Sequence, residues 1–194
     1  MEEFHKRTDT AEGGDTWKRI EEALSDADIL DYSEVIVEDG KEITLNIDVD
    51  LGGGFEGGFA STALSAVLPH NTLFRFAVHR EDFIDEIGKF FGMQDVKVGY
   101  VDFDKKMIIK TNDEEKVKSL FSSDEIRSTL LDLSNFSLGI HSHNVSHSRE
   151  SFLELVIDDA VTDITLIKKL HHCFLLVLKF IEDQLPVSDL RIES

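Results

Sequence analysis

With 194 residues, 41% of them hydrophobic and 30% charged, the chain can bury a sizeable core and has the composition of a soluble globular protein. Its 39 acidic and 20 basic side chains leave a net charge of −19, and no Lys/Arg cluster exceeds a pair, which argues against nucleic-acid and anionic-membrane partners. A lone cysteine, Cys173, excludes an internal disulfide, and the longest purely apolar run, Cys173 to Leu178, is far short of the roughly 18 residues that span a bilayer.

The opening residues, MEEFHKRTDTAEGG, hold no apolar stretch of the kind a secretory leader needs, so a cytoplasmic protein is expected. Residues 1–15 read as a flexible arm and residues 16–194 as a single α+β domain; two packed halves, 30–92 and 93–194, are the alternative division. Acid is concentrated early: residues 1–70 carry 17 acidic and 5 basic side chains, a balance of −12.

Thr16 is placed as the cap of a short helix with Trp17, Ile20 and Leu24 on one face. Val35 to Val37 and Ile43 to Val49 then form a hairpin around Asp39-Gly40, a strong two-residue turn signal. In the second strand Ile43, Leu45, Ile47 and Val49 alternate with polar residues, which predicts one dry face and one wet face. Residues 59–68 are read as a strand with Thr62, Leu64, Ala66 and Leu68 on one side, hairpinned through Pro69-His70-Asn71 to a strand over Leu73 to Val78.

Glu81 to Phe91 has the apolar stripe of a helix, and Val96, Val98 and Tyr100, then Met107 to Ile109, mark two further strands. Asn112 with Glu115 and Ser122 with Glu125 look like two capping boxes, predicting two short helices with a bend between them. Phe136 to Ile140 and Phe152 to Ile157 are strands joined by the polar loop HSHNVSHSRES. A final helix starts at Thr162 or Asp163 and runs to about Leu185, apolar nearly all round over CFLLVLKF. The resulting fold class is α+β: mainly antiparallel sheet with three or four helices, the long C-terminal helix packed on the sheet.

Several clusters invite chemistry. His141, His143 and His147 are the metal candidates, because imidazoles two apart on a strand share one side. Gly52, Gly54 and Gly57, within the Gly52 to Gly58 segment, satisfy GxGxxG literally, the outline of a nucleotide site. The strand before them alternates instead of being apolar on both faces, and the surrounding charge repels phosphate. Asp48, Asp50 and Gly53 resemble the start of a calcium loop, but Phe59 stands where its last ligand should. His171, His172 and Cys173 are consecutive on a helix, about 100° apart, and do not converge. Asp102 and Asp104 flank Phe103 as a pair of carboxylates in a turn.

The order GYVDFDKKMIIKTNDEEKVKSLF, followed by a helix, a strand and a long last helix, resembles a family of uncharacterised bacterial proteins. The shared features are the Asp-Phe-Asp turn, the apolar strand and the capped helix ending in Leu-Phe, from Asp102 to Leu133. The resemblance implies a bacterial cytosolic origin and assigns no activity, cofactor or site residue. The expectation is therefore a non-enzymatic interaction or ligand-binding domain without a cofactor, bound to a protein partner or to itself. The alternatives are a metal-binding protein or metal-dependent enzyme using the His141–His147 loop, and a nucleotide binder through Gly52 to Gly58.

Overall fold

Asp39 and Gly40 both adopt positive φ, 52° and 73°, the geometry whose twist matches the strands it joins and which glycine enters without steric cost. They close the hairpin of β1 (Asp31–Glu38) and β2 (Lys41–Asp50) in a computed structural model that describes residues 13–25, 31–52, 57–70, 72–80, 93–145 and 148–184. The remaining strands are β3 (Phe59–Leu68), β4 (Phe76–Arg80), β5 (Gln94–Asp95), β6 (Met107–Thr111), β7 (Phe136–Val145) and β8 (Ser148–Ile157). The described helices are α1 (Gly13–Leu24), α2 (Val101–Lys106), α3 (Glu114–Leu120), α4 (Asp124–Leu131) and α5 (Ile164–Asp183).

All the described strands form one antiparallel sheet in the order β1-β2-β3-β8-β7-β4-β6-β5, so the architecture is α+β as expected. The β7–β8 hairpin sits in the middle and joins two smaller sheets, β1-β2-β3 and β4-β6-β5. Strands from 30–92 and 93–194 are thereby interleaved.

Register carries one buried stripe across the sheet. Ile43, Leu45 and Ile47 of β2, Leu64 and Leu68 of β3, Leu153 and Leu155 of β8, Leu138 of β7 and Val78 of β4 share a face. Helix α5 lies over that face with Ile167, Leu170, Phe174, Val177, Leu178 and Ile181 buried, and Cys173 and Leu175 complete its nearly all-round apolar stretch. Asp163 caps it, its carboxylate accepting the Thr165 N–H at 2.8 Å.

Where local signals competed with distant partners, the distant partners won. The turn at Pro69 does not make a hairpin: β3 pairs with β8, and β4 pairs with β6 and β7. Asn112 is not a helix cap, because its side chain bridges Arg75 N–H and the Leu73 carbonyl, each at 2.8 Å. Asp113 caps α3 instead, and Ser123, not Ser122, caps α4.

The strand expected over Val96 to Tyr100 does not form; the two-residue β5, Gln94–Asp95, precedes that segment. Asp104 accepts the Val98 and Gly99 N–H groups, both at 2.9 Å, and Gly99 turns the chain at φ 93°. The turn that follows is a short helix, α2, which takes the described helices to five, beyond the three or four expected. The polar histidine loop is almost entirely strand, since β7 and β8 extend to Val145 and Ser148. At the N-terminus α1 already begins at Gly13 and Thr16 is buried within it; the rest of the expected arm, like the helix expected over Glu81 to Phe91, lies outside the described residues.

Candidate functional site

The β2–β3 ladder starts at Asp50 opposite Phe59 and stops at Thr44 opposite Ser65. Both strands run on: β2 continues to Lys41 beside β1, and β3 continues to Leu68 beside β8. The two ends therefore separate, and a cleft of about 330 Å³ opens between them. On the side of the sheet away from α5 (the far face) it is bounded by Glu42, Thr44, Ser65, Val67 and Phe152. On the helix side Ala66, Leu178 and Gly40 close it, with Lys41 paired to Glu182. Ala66 and Leu178 give it an apolar side, and its rim carries the hydroxyls of Thr44 and Ser65 and the carboxylate of Glu42, which lies opposite Val37 of β1.

The far face is uneven. Val35 is 44% and Val67 59% exposed over the β1-β2-β3 flank, whereas Ala77, His79, Ser137 and His141 are buried over β4 and β7. Buried His79 uses Nδ1 against the Arg80 carbonyl at 2.8 Å, and its Nε2 has no partner among the described residues.

His141 and His143 stand on this far face as their spacing predicts, rings stacked with centroids 6.3 Å apart. Glu154 of β8 meets both: its Oε2 is 3.0 Å from His143 Nε2 and 3.9 Å from His141 Nδ1. The His143 ring also packs edge-on against Phe152. His147 lies outside the described residues. Among the described residues no three His, Cys, Asp or Glu side chains are grouped so as to hold a metal ion.

The other candidates have structural occupations. Gly52 to Gly58 links two antiparallel strands, and the segment leads into β3, not into a helix that would receive a pyrophosphate; residues 53–56 lie outside the described ones. Asp50 accepts the Gly52 N–H at 2.8 Å, and Asp48 sits on the far face of β2. Both Asp104 oxygens hold the loop before α2, so this carboxylate is not free to share a proton with exposed Asp102.

Cys173 is buried, and burial pushes its thiol up to about 12, far from a thiolate nucleophile at neutral pH. His172 points outward to Glu125 at 3.1 Å. His171 turns inward: its ring meets Trp17 edge-on at 5.1 Å, and its Nδ1 is 3.6 Å from Glu38. Burial, more than the opposing pull of Glu38, lowers its pKa, so it is held neutral.

Compared with known proteins, the chain matches no family model, no curated protein and no solved structure. Sequence reasoning missed the cleft, because the separation of β2 from β3 depends on where β8 pairs, some ninety positions further along the chain. It also missed Glu154 as the partner of the two histidines, for which cross-strand register is the only signal.

Proposed function

We propose that the chain is a non-enzymatic binding domain whose ligand enters the cleft between β2 and β3 from the far face of the sheet. The interrupted ladder carries this reading. Two neighbouring strands part while still in the sheet, leaving backbone edges and the Val67 and Phe152 side chains beside an open volume. Unladdered edges are ready partners for an incoming chain or a polar ligand. The lining has hydroxyls at Thr44 and Ser65 but no imidazole to activate them, and Lys41 is engaged by Glu182, which favours binding over chemistry.

The test is a thermal-shift screen of short peptides and metabolite-sized compounds on the native protein and on Ser65→Trp, whose indole fills the cleft. A ligand at ~100 times its Kd should stabilise the native protein by ~2.7 kcal/mol and leave Ser65→Trp unshifted. Ligands that stabilise both proteins equally would place binding elsewhere and end this reading.

A further inference from the structure

Counter-charges are distributed unequally between the two sides of this sheet. Toward the helices four carboxylates have a cationic partner: Glu34 has Arg19 at 3.2 Å, Asp39 has Lys179 at 2.5 Å, Asp132 has Lys169 at 2.7 Å, and Glu182 has Lys41. On the far face the register places Asp31, Glu42, Asp48 and Asp50 on β1 and β2, while Glu154 of β8 is met by His143 at 3.0 Å. No Lys or Arg occupies any far-face position of β1, β2, β3 or β8. Between the acidic positions the surface is uncharged, with Val35, Thr44, Ser65 and exposed Val67 leading to the cleft.

We infer that the occupant of this face is a cationic, extended segment of a partner protein, with an apolar side chain in the cleft and Lys or Arg side chains over Glu42 and Asp48. The inference rests on the binding role proposed above and names its ligand chemistry. Charge complementarity selects the sign of the partner. The geometry selects its shape: Glu42 and Asp48 lie six residues apart on one strand, a span of ~20 Å that an extended segment of similar length matches. A compact cation covers one end only, and a second copy of this acidic chain repels.

Fluorescence anisotropy with a short labelled peptide in which Lys alternates with Val and Ser tests the idea, against a counterpart carrying Glu in place of Lys. The Lys peptide should bind, weaken as salt is raised, and lose about tenfold or more in affinity for Glu42→Lys/Asp48→Lys. The control Glu114→Lys/Glu115→Lys makes the same change in net charge on exposed α3 and should retain binding. Equal loss in both double variants, or unchanged binding to Ser65→Trp, would reduce the effect to general attraction and overturn the inference. If neither the Lys peptide nor its counterpart binds while the screen yields a ligand blocked by Ser65→Trp, the cationic partner is refuted and the cleft stands. If the screen too yields nothing that Ser65→Trp blocks, both fall.

Discussion

One row of side chains crosses the far face from Val35 through Thr44, Ser65, Glu154 and Gly139 to Ala77. Its first residue is 44% exposed and its last 1%. The same strand geometry, repeated across a single sheet, thus yields a wet flank over β1-β2-β3 and a dry one over β7 and β4. Composition follows: the wet flank carries carboxylates and hydroxyls, and the dry flank carries Ala77, Gly139 and Ser137, residues small enough for close cover. Burial on the second side of a sheet is a local property of position in the order, not of the sheet as a whole.

Charge placed at the two ends of that row should separate the flanks most sharply. Ala77→Glu buries an unpaired carboxylate and should cost about 3–5 kcal/mol in urea unfolding. Val35→Glu should stay within about 0.5 kcal/mol; comparable losses at both ends would remove the distinction. A smaller effect is expected from His171, buried under α1. The unfolded chain binds its proton at the ordinary pKa of 6.5 and the folded protein only at lower pH, so the unfolded state holds more protons below 6.5. Stability should therefore be unaffected above pH 6.5 and fall as pH drops below it, and His171→Phe should flatten that fall. The single Trp, Trp17, reports the same event, since its edge-on contact with the His171 ring at 5.1 Å is lost on acid unfolding. Emission that stays level through the acid unfolding onset would contradict the assignment.

Two chemical probes should show the least. Cys173 should resist alkylation in the folded protein and react once denatured, in keeping with its burial and raised pKa. Protein purified without an affinity tag should contain no stoichiometric transition metal, His141 and His143 being engaged by Glu154. A full equivalent of zinc or nickel would restore the histidine reading of the sequence.

Much of the fold was legible because its signals are local. Alternation marked the dry face of β2, Asp39-Gly40 marked its turn, and the apolar run of α5 marked the core helix. The illegible parts depend on residues distant in sequence. Nothing near Pro69 announces that β8 and β7 will lie between β3 and β4, and nothing near Asn112 announces that Arg75 and Leu73 will claim its side chain. The candidate site divides the same way. The stacking of His141 and His143 follows from their spacing, whereas the cleft exists only because β3 follows β8 while β2 follows β1.

The central position of the β7–β8 hairpin has a consequence for how the molecule is made. During synthesis β3 and β4 leave the ribosome long before Phe136, and each must wait with an uncovered edge for the strand that will lie beside it. Closing those distant ladders carries a large loop-entropy cost, so assembly should be slow and the nascent fragment a natural client for a chaperone.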